Sequence, residues 1–191
     1  MRKNKIIKAL ITLALICAAI HLTRSVYAQN TSEEAKMNMA TLADSLRDTA
    51  SIEALLKALY ESITFVEGAE PDLSRFRNLF TAAAPCIRVN QNQSVDRMTV
   101  DTFILSFRKR IESRALQSFH ESEIARQTRL WGQMAQVFST YRKGANVIDP
   151  KKMSRGINNL QLVYDGGRWW IASLMWMDER PDLPIPAEYL R

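Results

Sequence analysis

The sequence predicts an α+β domain in which three short helices lead into a long antiparallel sheet. Three observations predict it. In three stretches between Ile52 and Ile111 the apolar residues recur at helical spacing. After Ala115 they switch to the two-residue period of strands. Between two of those strands stands Asp165-Gly166-Gly167, where glycine supplies the positive φ that a tight hairpin needs.

Ile52, Leu55, Leu56, Leu59, Ile63 and Val66 share one face of the first helix. Thr49 or Ser51 caps it, Glu53 suits its first turn, and Gly68 ends it. Pro71-Asp72 opens a second, short helix with Leu73, Phe76 and Phe80 inward, and Pro85 stops it. Cys86 to Asn90 and Asp96 to Met98 read as short strands around a polar Gln91–Ser94 turn. Thr99 caps a third helix with the face Val100, Phe103, Ile104, Phe107 and Ile111. Four strands follow: Leu116–Thr128, Gly132–Lys143, Gly156–Asp165 and Arg168–Asp178. The Lys143–Ser154 link is polar and carries Gly144 and Pro150.

In the final strand, alternation puts Trp169, Ile171, Ser173, Met175 and Met177 on one face. Trp170, Ala172, Leu174 and Trp176 fall on the other. A strand apolar on both faces calls for cover on both. The helices supply one cover. A second subunit could supply the other, so a homodimer through the sheet face is expected.

The N-terminus reads as a secretory signal. Arg2, Lys3, Lys5 and Lys8 precede an apolar run from Ala9 to Ile20, broken only by Thr12. Val26-Tyr27-Ala28 then offers a cleavage site, with the cut after Ala28. The run is shorter than the roughly 20 apolar residues of a spanning helix, so no stable membrane anchor is expected after cleavage. The expected organisation is a signal over 1–28, a polar leader or loose helix over 29–50, the domain over 51–180, and a Pro-rich tail over 181–191. The expected location is the periplasm or the exterior.

Without residues 1–28 the charge argument changes. The whole chain has 26 basic and 20 acidic residues, a net charge of +6, and five of the basic ones lie in the signal. Twenty-one against 20 leaves +1, which gives no support for nucleic-acid binding. Arg108-Lys109-Arg110 with Arg114 falls at a helix end, where cations suit the dipole. After the signal there is one cysteine, Cys86, and one histidine, His120. They exclude an internal disulfide and argue against a zinc site. No glycine-rich phosphate loop is present, and no cofactor or metal is expected.

Several segments carry a resemblance. Phe119-His120-Glu121-Ser122-Glu123, Val137-Phe138-Ser139-Thr140-Tyr141, Gly156-Ile157-Asn158-Asn159-Leu160-Gln161-Leu162 and Asp165-Gly166-Gly167-Arg168-Trp169-Trp170-Ile171 look like strands of the nuclear-transport-factor-2-like superfamily. The element order from about Ser51 to Asp178 is also similar to its SnoaL-like and ketosteroid-isomerase-like members. The resemblance implies a cone-shaped fold, with the helices packed on the concave face of a curved antiparallel sheet and a pocket between them. The superfamily spans isomerases, polyketide cyclases, dehydratases and plain binding domains, so the fold leaves the function open.

The best enzymatic constellation is His120, Glu121 and Glu123 on one strand. A carboxyl in an apolar pocket moves protons near neutral pH. Alternation, however, puts both glutamates opposite His120, and the three converge only through a bulge. Arg126 and Arg129 are near enough to pair the carboxylates instead. Glu123 and His120 are the catalytic candidates, though a paired carboxylate and a satisfied lone histidine are the commoner cases. Tyr60, Tyr141, Asn159, Gln161 and Trp176 are the ligand-binding candidates. Amides can equally bond backbone, and tryptophans more often pack in a core. The expected function is binding of a small apolar or aromatic ligand without dedicated catalysis. The alternative is a cofactor-independent isomerase, cyclase or dehydratase. The Arg180–Pro186 segment reads as an extended arm, placed to fold over its own domain or a neighbour.

Overall fold

The computed structural model describes residues 35–40, 42–145 and 152–191. The expected signal and its cut after Ala28 lie outside the described residues, as does part of the Lys143–Ser154 link. Residues 35–40 and 42–44 are helical and belong to one unit; Ser45–Arg191 form another.

Ser51 opens the first helix, α1 (Ile52–Ile63), by accepting the Ala54 amide at 3.1 Å. The expected apolar face is buried, with Leu55, Leu56, Ala58 and Leu59 almost wholly enclosed. The helix stops at Ile63, before the predicted Gly68. The Thr64 hydroxyl and the Phe65 backbone are claimed by the sheet: Thr64 bonds the Glu121 backbone, and Phe65 exchanges two backbone bonds with Phe119. Val66, expected on the apolar face, is therefore exposed. Asp72 caps α2 (Leu73–Arg77), and Thr99 caps α3 (Val100–Glu112) through the Thr102 amide.

Six strands form one curved sheet: β1 (Pro85–Val89), β2 (Val95–Thr99), β3 (His120–Trp131), β4 (Met134–Gly144), β5 (Ser154–Asp165) and β6 (Arg168–Asp178). Their order is β2-β1-β6-β5-β4-β3, so β3 is an edge strand. All neighbours are antiparallel except β1 and β6, which are parallel. The long strands β3 to β6 form the expected curved antiparallel sheet, and the short β1 joins it in parallel. The chain leaves β2 through α3 and returns by the far edge, so β6 meets β1 in the same direction. β3 starts at His120 instead of Leu116, because the Leu116 amide closes a turn on the Arg110 carbonyl.

Two bulges reset the side-chain pattern. Gln161 pairs with Ser173 but Leu162 with Ile171, which leaves Ala172 as an extra residue in β6. Trp169, Ile171, Leu174 and Trp176 therefore all belong to the core on the helix side, with Ser173, Met175 and Met177 opposite. The face assignment read from strict alternation is thus corrected. The second bulge lies in β3: Glu123 pairs with Tyr141 and Ala125 with Thr140, so Ile124 is extra.

The core fills the apolar end of the concave face. Phe76 packs on Phe80 and Phe103, and Phe103 on Phe107 and Trp176, with ring centroids 4.9 to 5.9 Å apart. Cys86 is buried among them, and burial pushes its thiol up to about 12. On the convex face the C-terminal segment returns over its own domain. Tyr189 lies 5.3 Å from Phe138, and its carbonyl accepts the Thr140 hydroxyl at 2.5 Å. The Glu188 carbonyl accepts from Gln127. The start of the segment is tied down by the two-bond pair of Arg155 with Glu179.

Candidate functional site

Cross-strand partners share a face, so the register lists what the concave face presents. One row is Glu123, Tyr141, Gly156 and Asp178; the next is Arg126, Ser139, Asn158 and Trp176. Glu121 and Lys143 pair in the row before them. Below, Thr128, Val137, Leu160 and Leu174 begin the apolar end. The polar rows lie under the helix that carries Tyr60.

These side chains form one hydrogen-bonded network. Arg126 binds the Glu123 carboxylate through Nε at 3.0 Å and Nη2 at 2.6 Å. The bulge at Ile124 permits this, because it brings Arg126 onto the face of Glu123. Glu123 Oε1 accepts the Ser139 hydroxyl at 2.5 Å. Ser139 has a single proton, so Tyr60 donates to Ser139 across their 2.5 Å contact. Asn158 Nδ2 reaches Tyr60 Oη at 3.2 Å and Glu121 Oε1 at 3.3 Å. Beyond Glu121, Asp178 accepts from Tyr141 and pairs with Lys143. Gly156 makes room for Tyr141: a Cβ there would stand 2.2 Å from its Oη.

The electrostatics follow from this wiring. Glu123 has the Arg126 guanidinium and Asp178 has the Lys143 ammonium. The bond Glu121 receives comes from a neutral amide. Burial pushes the Glu121 carboxyl up to about 7; Asp178 adds to the rise, while Lys143 and the Asn158 bond oppose it. Burial also raises the Tyr60 hydroxyl, helped by the nearby Glu121 charge. The bond to Glu123 holds the Arg126 guanidinium up.

A cleft of about 380 Å³ opens between α1 and β3, beside this network. Tyr60, Glu121, Glu123 and Arg126 reach it from the network. Lys57 and Thr64 line its helix side, and His120 and Ser122 its strand side. The volume lies within the range of small-molecule sites, roughly 300–1,000 Å³.

The residues singled out from sequence are distributed as follows. Tyr60, Glu123 and His120 line the cleft. His120 lies on the opposite face of β3 from Glu121, and the bulge falls after Glu123, so His120 joins only at the rim. Tyr141 and Trp176 are on the concave face but behind the cleft, Tyr141 on Asp178 and Trp176 edge-on to Phe103. Asn159 and Gln161 are on the convex face, and Asn159 Oδ1 is buried with no bond among the described residues. The concave amide is Asn158. Ser139, Lys143 and Asp178 are further members that sequence reasoning missed. The signal for Asn158 was the pair Leu160 and Leu162: two leucines on its face mark the core side of β5. Among the described residues, no group of three His, Cys, Asp or Glu side chains has metal-binding geometry.

No known family model matches the sequence, and no curated protein matches it. Solved structures do. An uncharacterised protein with a cystatin-like fold from Caulobacter vibrioides is 17% identical, with a TM-score of 0.50 over 69% of this chain and 89% of that one. A domain of unknown function with a cystatin-like fold from Nostoc punctiforme has a TM-score of 0.50 at 11% identity, over 69% and 79%. A nuclear-transport-factor-2-like protein of unknown function from Silicibacter pomeroyi is 15% identical, with a TM-score of 0.49 over 68% and 94%. The likeness is one of fold: Ser45–Arg191 has the cone-shaped α+β architecture that the resemblance implied.

Proposed function

We propose that the chain is an exported domain that binds a small, partly apolar molecule in the cleft between α1 and β3, without dedicated catalysis. The observation that carries this reading is the cleft itself, where Tyr60, Glu121 and Arg126 reach a space of ligand size. Export rests on the charge and apolar pattern of residues 1–28. A neutral fluorescent probe, N-phenyl-1-naphthylamine, tests the binding. One saturable site is expected, and Lys57→Trp, which places an indole over the mouth from an exposed helix position, should weaken it at least tenfold. Equal affinity in the parent and Lys57→Trp would mean that the probe does not bind in the cleft.

A second reading has its own observation. Glu121 is a half-buried carboxyl at the cleft wall, pushed up to about 7 by desolvation, with one amide bond and Tyr60 beside it. That is a proton-transfer group, and it moves the acid–base role from Glu123 and His120 to Glu121. Conversion of β,γ-unsaturated ketones, followed by enone absorbance, is the assay. Activity that falls about 100-fold or more in Glu121→Gln supports the reading; activity unchanged in that variant ends it.

A further inference from the structure

The hairpin end of the sheet carries a surface that the cleft does not use. The register aligns Trp131, Met134, Val163 and Trp170 in one row across β3, β4, β5 and β6. At about 4.8 Å per strand the row spans roughly 14 Å. It lies on the convex face, since the neighbouring Ala135 and Leu162 are buried on the helix side. Trp131 is 79% exposed and Met134 56%. Trp170 is fixed in place: its indole donates to the Asp165 carbonyl at 3.1 Å, and the Arg168 guanidinium stacks 3.7 Å over its ring. The next row, Arg129, Gln136, Gln161 and Ser173, is polar and bounds the patch.

We propose that this hairpin end docks on a lipid bilayer, with Leu130, Trp131 and Met134 entering the interfacial region to a depth set by the polar row. The tip itself argues for lipid over a second copy of the chain. Leu130 pairs with Ala135 and so points to the helix side, opposite Trp131, yet it is 59% exposed. A flat partner face covers one side of a hairpin tip, whereas a bilayer surrounds both. Indoles favour the boundary between headgroup and acyl chain. Arg129 stands just behind the apolar row, where anionic headgroups would lie, while Arg168 is held by Ser45 Oγ and the Asn78 carbonyl and serves to brace Trp170. The contact is peripheral: among the described residues, no helix is long and apolar enough to cross a membrane.

The test uses the full chain and vesicles of phosphatidylethanolamine and phosphatidylglycerol with brominated acyl chains, which quench inserted indoles. Residues 9–20 can hold any variant on a vesicle, so the readout is indole quenching, not co-sedimentation. The parent should be quenched. Trp131→Phe, at a site exposed enough to leave the fold intact, should lose most of that quenching. Leu130→Ser with Met134→Ser should lose it while keeping all four indoles. Equal quenching in the parent and Trp131→Phe would overturn the proposal. So would a lipid-free dimer in which Trp131 is already shielded from iodide.

Discussion

Glu121 is a carboxyl whose bonded neighbour is neutral, while Glu123 and Asp178 each hold a cation. That difference gives a stability signature with a definite sign. The folded Glu121 pKa, about 7, lies above the ordinary 4.5, so between those values the folded state binds more protons than the unfolded. Stability from this group is present below pH 4.5 and is lost as pH rises through 7. The loss is on the order of 3 kcal/mol at 1.36 kcal/mol per pH unit. Glu121→Gln keeps an acceptor for Asn158 and has nothing to ionise. It should flatten the fall and be more stable than the parent at pH 8. Urea unfolding at pH 5 and pH 8 measures both; the same pH dependence in the two proteins would show that Glu121 is not the buried acid.

At the scale of elements, the site depends on places where a strand departs from regularity. The extra residue Ile124 puts Glu123 and Arg126 on one face three positions apart, and Ala172 keeps Ile171 and Leu174 both in the core. Gly156 lets Tyr141 cross β5 to reach Asp178. In Gly156→Ala the new Cβ would stand 2.2 Å from Tyr141 Oη and 2.5 Å from the Met177 carbonyl. A loss of about 1–3 kcal/mol is expected, the usual cost of overpacking. In a Tyr141→Ala background the same change should cost less but not nothing, because the Met177 carbonyl remains. A melting temperature unchanged by Gly156→Ala would mean that Tyr141 is not held there. These irregularities mark the limit of what the sequence makes legible. Helix caps at Ser51, Asp72 and Thr99 are local chemistry and were readable. So was the Gly166-Gly167 hairpin. A bulge is decided by partners on the next strand, so neither the Glu123–Arg126 face nor the choice of Asn158 over Asn159 follows from alternation. The parallel join of β1 to β6 is likewise a property of the return path.

At the scale of the whole molecule, one sheet separates two environments. Its concave face holds the polar network and the cleft. Its convex face is divided between the returning C-terminal segment and the apolar row at the hairpin end. Removing residues 187–191 would strip Tyr189 from Phe138 and the carbonyl bonds from Thr140 and Gln127. About 1 kcal/mol is expected, or roughly 2–4 °C in melting temperature for a domain of this size. Calorimetry of the shortened chain checks it, and no change would mean the segment is not clamped. The concave face carries the cleft between α1 and β3 that is proposed to receive a small molecule. Amide NMR during titration with N-phenyl-1-naphthylamine tests it most directly. Saturable shifts concentrated at residues 53–64 and 120–126, weakened in Lys57→Trp, are expected. Shifts confined to residues 129–136 and 163–170, or none at all, would contradict it.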